Sequence, residues 1–503
     1  MVAAAGVAEA PTSFNLRNSP LPSNPKYRFF LLLLLLLFFS SWSILIRSLG
    51  RPCVNRRRTF VAKTNVVAVT TTDDHSHGRG IDGGVMNIYD KVGDPKPTGR
   101  CHVRNMSVYV YDLPSKFNSD LLRNCTRLNR YRNLCPDVVN HGLGQPLSVE
   151  ANTPTKEPIW FAPYQFAAEE IFHARMLNHP CRTNDPARAN LFYVPFYGGF
   201  HMSSMGRETN YTARDELAVQ LAEHVEQQQP WWGRRNGKDH FMVLGRTAWD
   251  FMRPDHRQAV DYGPNTLLTL PAVRNMSVFV VERHPSEGNN QLGIPYPSYF
   301  HPYTVDQVRD WQRKVAGSSR PYLFSYIGAR RKEGVAAAIR DELMQQCSES
   351  EHCMLLNCTA DASKCSDPKE VLRVMMASRF CLQPRGDSFT RRSVFDSLLA
   401  GCLPVLFSRH TAYTQYQMYL PENTTSYSVF LWEDEKMISD NGSRKVNIED
   451  ELMKIGSGKV EEMRKVVVDL IPRLTFAHPN ASGDKGFEDV VDVALSSLLR
   501  LVY

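Results

Sequence analysis

A chain of 503 residues, 43% of them hydrophobic and 10% aromatic, is long enough for two buried cores and too apolar for a solvated, unfolded polymer. Its formal net charge of +7 is modest, and much of it (Arg47, Arg51, Arg56, Arg57, Arg58, Lys63) directly follows an apolar run. No stripe of basic and aromatic residues occurs in the remainder, which excludes a nucleic-acid binder and favours membrane-flanking charge.

In chain order, residues 1–28 read as a polar cytosolic tail. Phe29 to Ile46 is an uncharged run containing seven consecutive leucines. As a helix these residues span about 27 Å, close to the hydrocarbon thickness of a bilayer. A cleaved signal peptide is the rival, but it calls for a shorter apolar core and a small-x-small site, where here Ser-Trp-Ser-Ile-Leu-Ile-Arg follows. The run is therefore predicted to be an uncleaved transmembrane signal anchor. Residues 47–100 mix Arg, Thr, Asp, Gly, Pro and His with few apolar residues and read as an extended stem. Asp73 to His77 has metal-ligand residue types, yet in such a stem solvation is the better account.

The charge following the run would by itself place the large domain in the cytosol. Two features outweigh it. Eight Asn-x-Ser/Thr sequons lie beyond the run, at Asn105, Asn124, Asn210, Asn275, Asn357, Asn423, Asn441 and Asn480. Ten of the eleven cysteines lie between Cys101 and Cys402, and Cys347, Cys353, Cys358, Cys365 and Cys381 are dense enough for disulfides. Zinc is the alternative, but no Cys-x-x-Cys pair occurs and only His352 is near. Glycosylation and disulfides both predict a lumenal domain on a type II, single-pass protein. The disulfide connectivity stays open.

A first strand is predicted at Ser107 to Tyr111, then an amphipathic helix over 155–180, then strands at Leu191 to Phe196, Phe241 to Gly245 and Ser277 to Glu282. A second series begins at Tyr322 to Gly328. It continues with a helix from about Gly334 to Gln345 and strands at Arg379 to Leu382 and Leu403 to Phe407. Strands alternating with helices imply parallel sheets. The expected fold class is α/β, with two Rossmann-like domains facing a cleft (GT-B type), preceded by the transmembrane helix and stem. The predicted boundaries are 101–310 for an acceptor-side domain and 311–503 for a nucleotide-binding one.

The segment Cys381 to Phe407 carries the clearest chemistry. Gln383 to Ser388 has turn residues with exposed backbone N–H groups, Val394, Phe395, Leu398 and Leu399 recur at helical spacing, and Gly401 ends the helix. The helix start, with Gly386, Asp387, Ser388, Arg391 and Arg392, is a site for a diphosphate. Asp396, one turn on, could accept from ribose hydroxyls, and Arg330 after Gly328 could add charge. The bland alternative is a capped surface helix with solvated arginines.

These residues resemble the nucleotide-sugar-binding core of the exostosin-like glycosyltransferases of family 47, and within it the plant branch containing the xyloglucan galactosyltransferases. Further matching pieces follow in chain order: Val110 to Pro114, Gly142 to Gly144, Val194 to Gly199, Gly237 to Phe241, Gly245 to Phe251, Ile294 to Pro302, Arg320 to Gly328 and Ala412 to Tyr416. Arg385 departs from the pattern, where a second Pro is expected after Gln-Pro. The resemblance implies an inverting galactosyltransferase that uses UDP-galactose and decorates xyloglucan in plant cell-wall synthesis. It implies a Golgi membrane location and, as partners, a UDP-sugar, a polysaccharide acceptor and other Golgi glycosyltransferases, with no nucleic acid. Siblings would transfer arabinopyranose or galacturonic acid to xyloglucan or pectin, and Arg385 is a partner for the extra carboxylate of the latter. A different class, a non-catalytic glycan-binding subunit of a Golgi complex, stays open.

Sugar transfer needs a base for the acceptor hydroxyl and a means of neutralising the departing diphosphate. No Asp-x-Asp pair stands where a strand enters a loop, and Glu433 to Glu435 reads as a solvated loop. No metal and no cofactor is therefore expected, and Arg391, Arg392 and helix-start N–H groups take the leaving-group charge. Asp250 is the first choice as base, against its use in a cap or a pair with Arg253. His240 is the second, against a structural histidine, and Glu282 and His284 are in reserve. Trp249, Tyr296, Tyr299 and Phe300 are candidates for stacking on sugar rings.

Overall fold

A computed structural model describes residues 101–103, 105–148, 157–253, 264–286, 288–330, 335–431 and 446–503. The predicted anchor and stem, Asn441 and Glu433 to Glu435 lie outside them. No described helix is long and apolar enough to cross a membrane. The described residues belong to the second of two compact units, Gly83–Tyr503.

Two parallel sheets organise this unit. The first contains β1 (Val108–Val110), β2 (Arg182–Thr183), β3 (Leu191–Tyr193), β4 (His240–Thr247), β5 (Ser277–Glu282) and β6 (Gln291–Gly293), in the order β2-β1-β3-β4-β5-β6. The second contains β7 (Tyr322–Gly328), β8 (Cys353–Asn357), β9 (Ser378–Gln383), β10 (Leu403–Leu406) and β11 (Val429–Phe430), in the order β8-β7-β9-β10-β11. Each sheet starts in the middle, adds one strand on one side and the rest on the other. That is the doubly wound order in which loops at the strands' carboxyl ends diverge and leave room for a ligand. The central strands read as unbroken apolar runs because helices cover both faces. Phe241, Met242, Val243 and Leu244 of β4 are all fully buried.

The helices used below are α1 (Ala168–Leu177), α2 (Gly198–Ser204), α3 (Tyr211–Glu226), α4 (Val305–Ala316), α5 (Val335–Glu349), α6 (Pro368–Met376), α7 (Arg392–Leu399), α8 (Ser457–Leu470) and α9 (Val490–Val502). The amphipathic helix expected over 155–180 is shorter and of another kind. Pro158 and Pro163 keep the preceding chain extended, and Phe161–Ala162 pairs antiparallel with Gln145–Pro146. What remains, α1, is buried from Ala168 to Met176 on every face.

The boundary expected at 310/311 falls inside α4. Trp311 of α4 donates its indole N–H to the Leu399 carbonyl at 3.0 Å, which ties that helix to the second half. The last helix returns to the first half. Arg175 on α1 meets Asp489, the N-cap of α9, at 2.9 Å with both side chains buried, and His179 lies 2.9 Å from Asp492.

Ten cysteines form five disulfides: Cys101–Cys181, Cys125–Cys135, Cys347–Cys353, Cys358–Cys365 and Cys381–Cys402. Of the described sequons, Asn105, Asn124, Asn210, Asn423 and Asn480 are exposed, while Asn275 and Asn357 are half-buried.

Candidate active site

At the reversal point of the second sheet, Gly328 ends β7 and Gln383 ends β9. The two following loops are held together by a side chain from α5. Buried Arg340 donates to the carbonyls of Ala329 and Arg385, each at 3.3 Å. Gln383 accepts from Ser393 Oγ at 2.6 Å, which fixes the strand end against α7. Within the loop the Gly386 N–H donates to Ser388 O at 2.9 Å. A Cβ at Gly386 would lie 2.6 Å from Arg391 Nη2, so only glycine lets that guanidinium lie against the loop backbone.

The first sheet reaches the same loop. Glu282, the last residue of β5, accepts from Ser388 Oγ at 2.5 Å and from the Phe389 N–H at 2.7 Å. Burial pushes its carboxyl up to about 7, against the hydrogen bonds from Ser388, Phe389 and Thr390, and the nearby charge of Asp250 adds to the rise. On the neighbouring strand, Arg246 Nε meets Asp250 Oδ2 at 2.8 Å, and its guanidinium covers the Phe166 ring at 4.5 Å. Glu169 of α1 pins this end of β4 by accepting from the N–H groups of Gly199, Phe200 and Gly245 at 2.8–3.0 Å. Buried Tyr296 sits among these groups. Burial raises its hydroxyl pKa, Glu282 and Asp250 raise it further, and Arg246 and Arg391 oppose them.

Two carboxylates, two guanidinium groups and a phenol drawn from both sheets thus converge on one point at the carboxyl ends of the strands. The Exostosin GT47 domain matches residues 102–444 of the chain. The chain belongs to the exostosin GT47 family. Among relatives of this family, a protein of Arabidopsis thaliana named "Probable xyloglucan galactosyltransferase GT17" is 54% identical over 396 residues, 79% of this chain and 83% of its own length. "Xyloglucan galactosyltransferase MUR3" of the same plant is 42% identical over 395 residues, covering 78% and 62% of the two chains. "Xyloglucan galactosyltransferase XLT2", also of Arabidopsis, is 40% identical over 399 residues, covering 78% and 74%.

In this GT47 chain the two adjacent arginines part company. α7 begins at Arg392, and Arg391 is its N-cap in extended conformation. Arg391 stays with the Gln383 to Ser388 loop, against Gly386. Arg392 instead lies 4.2 Å over the Tyr299 ring, donates to the Tyr299 hydroxyl and to Pro163 O, and has Nε 3.4 Å from Asp396 Oδ2. Asp396 is buried and accepts from Ser298 Oγ at 2.6 Å. Arg392 and Asp396, expected to meet the diphosphate and the ribose, thus pair with each other here and join α7 to residues 298–299.

His240, expected as the second choice of base, lies away from the other candidates. It opens β4 at the end opposite the site, about 23 Å of strand from Thr247 at 3.3 Å per residue. Its ring nitrogens lie 2.8 Å from Asp239 and 2.8 Å from the Tyr111 hydroxyl, and the ring stacks on Phe192. It is a structural histidine. His284 packs edge-on near Trp249 and accepts from the Ser286 N–H. Arg253 pairs with Asp215, which leaves Asp250 to Arg246. Phe300 packs against Trp160 and Trp311 in the core, and Tyr299 lies beneath Arg392, so neither offers a sugar platform. Arg330 and Asp387 are exposed at the loop rims, Arg330 Nε being 3.6 Å from Asp341. Arg385 lies 4.6 Å over the Phe389 ring.

Arg246 and Arg340 were not among the expected site residues. Arg246 had a signal, an i,i+4 spacing to Asp250 within the Gly245 to Phe251 piece. Arg340 had none, being one arginine in an ordinary helix. Among the described residues no group of three His, Cys, Asp or Glu stands where it could hold a metal ion.

Proposed function

We propose that the chain is an inverting galactosyltransferase of GT-B type that moves galactose from UDP-galactose to xyloglucan side chains. In this reading it is a type II protein of the Golgi membrane with its catalytic domain in the lumen. The observation that carries the chemistry is the meeting of Glu282, which ends a strand of the first sheet beside Asp250, with the Gln383 to Arg391 loop of the second. The relatives' names support the choice of donor and acceptor.

Loop N–H groups and Arg391 receive the donor diphosphate, and Arg340 holds the two loops that shape this site. Asp250, oriented by Arg246, takes the proton of the acceptor hydroxyl. That oxygen bonds to the anomeric carbon as the bond to the diphosphate breaks, inverting the configuration, and UDP leaves against Arg391. Glu282 holds the loop in register with the base. No metal takes part in this scheme.

Full-length protein in detergent, incubated with xyloglucan oligosaccharides and a panel of UDP-sugars, tests the assignment. Galactosyl transfer with a β-linked product supports it. Efficient transfer of galacturonic acid or arabinopyranose in preference to galactose overturns the donor. Absence of both UDP binding and turnover with every donor would favour a non-catalytic glycan-binding subunit.

A further inference from the structure

Next to the reaction centre the first half presents a feature that the scheme above does not use. Residues 125–135 form a loop closed by the Cys125–Cys135 disulfide. Its apolar side chains, Leu128 and Leu134, are buried beneath it, while Tyr131 at its tip is 86% exposed. The tip is held rather than loose. Asn129 Oδ1 accepts from the N–H groups of Tyr131 and Arg132 at 2.8 and 3.3 Å, and Arg132 reaches Asp137 at 2.7 Å. Arg207, just beyond α2, donates to Arg130 O at 3.1 Å.

The loop is continuous with the site. Asn129 Nδ2 donates to the Tyr164 hydroxyl at 3.3 Å, and Arg132 lies over the Tyr164 ring at 5.2 Å. Tyr164 contacts Phe166 edge-on at 5.4 Å, the Arg246 guanidinium covers Phe166 at 4.5 Å, and Arg246 in turn holds Asp250.

We infer that this loop is a subsite for the polysaccharide acceptor, on which a pyranose ring of the chain stacks against Tyr131 a few sugars from the reacting hydroxyl. A sugar ring has an apolar C–H face rimmed by hydroxyls. The loop offers its complement: the Arg130 guanidinium lies over one face of the exposed Tyr131 ring at 5.6 Å, the other face is left for a sugar, and Arg130 and Arg132 bring hydrogen-bond donors to its rim. A protein or lipid surface would need contiguous apolar area, and the loop's leucines are turned into the core. Because the loop is already ordered, a ring docking on it loses little conformational freedom.

This inference rests on the reading that the chain acts on a polysaccharide, and the test separates the two. Tyr131→Ala, Tyr131→Trp and wild type are compared as full-length protein with long and short xyloglucan oligosaccharides. Tyr131→Ala should raise KM for the long acceptor by roughly 3- to 10-fold, the size of one aromatic contact, and leave KM for the sugar nucleotide in place. Tyr131→Trp should restore it. Unchanged KM for the long acceptor, or an equal rise with long and short ones, overturns the subsite.

Affinity electrophoresis through xyloglucan or polygalacturonan gives a readout that does not depend on turnover. Retardation in either polymer that Tyr131→Ala abolishes supports the subsite and tells a neutral chain from an acidic one. Undiminished retardation of the variant, or none for wild type in either polymer, overturns it. A wild type without turnover whose retardation depends on Tyr131 defeats the proposed function alone.

Discussion

Arg391 and Arg392 are neighbours in sequence with different surroundings. The pair was legible as a cationic helix start. The division between them was not, since it depends on Gly386, Tyr299 and Pro163 arriving from three other segments. Arg391→Ala should weaken UDP binding by roughly 10- to 150-fold, from about 1.5–3 kcal/mol for a charge-assisted bond, with a smaller effect on unfolding. Arg392→Ala should act chiefly on stability, by roughly 3–5 kcal/mol, because buried Asp396 then keeps only the Ser298 hydroxyl. Calorimetric UDP binding and denaturant unfolding on both variants check the division, and a stable Arg392→Ala protein unable to bind UDP would reverse it. Asp250→Asn should keep UDP affinity while turnover is lost, and activity of wild type should persist in excess chelator. Retained turnover in the variant would move the base elsewhere, and rescue by manganese after chelation would refute the metal-free scheme.

Glu282 adds a pH dependence whose sign is fixed. Its carboxyl is raised from an ordinary 4.5 to about 7, so the folded state holds the proton more tightly than the unfolded one. The stability it contributes is complete below about 4.5 and is lost as pH rises through about 7. Glu282→Gln removes that dependence, and the variant's Tm should fall less than that of wild type between about pH 5 and 8. Glu169, pushed up to about 7 by burial, has the same sign and leaves a residual slope in both proteins. Identical slopes would mean that Glu282 does not titrate in this range.

At the scale of elements, the strands read correctly were those whose apolar runs are long and unbroken. Ser277–Glu282 and Tyr322–Gly328 have their expected bounds. β8 was missed because its flanking cysteines dominated the reading and most of its residues are only half-buried. β2, β6 and β11, of two or three residues, are too short to show a period. The contacts between the sheets were invisible for another reason: they are made by loops. Gln415 exchanges two hydrogen bonds with the Arg283 backbone, at 2.8 and 3.1 Å, and the Tyr416 hydroxyl donates to Val281 O at 2.6 Å. This approach is possible only because β6 ends in Gly293, where a Cβ would lie 2.0 Å from the Gln415 carbonyl. Gly293→Ala should therefore lower both Tm and turnover, whereas the nearby surface change Ser286→Ala should lower neither. An active, fully stable Gly293→Ala protein would show that the 412–416 contact can shift without consequence.

For the whole molecule, parallel sheets in two series followed from the alternation of strands and helices, but the path of the last helix did not. Nothing in the pattern of 490–502 says against which sheet its apolar face packs. That is decided by Arg175 and Asp489, more than three hundred residues apart. Asp489→Asn should cost roughly 3–5 kcal/mol, since it weakens the compensation of a buried guanidinium, and Arg175→Met in the same chain should recover part of the loss. Equilibrium unfolding of the single and double variants measures this, and a neutral single variant would remove the tie.

The return of α9 bears on how such proteins could be recombined. A second half exchanged between two relatives by one crossover near residue 310 would cut α4 and would import a foreign final helix onto α1. A hybrid that respects the contacts needs a first junction before Val305 and a second before Asp489, with the 412–416 loop matched to the β5 and β6 that receive it. The exchangeable unit is then an internal insert, residues 305–488, bracketed on both sides by chain tied to the first half.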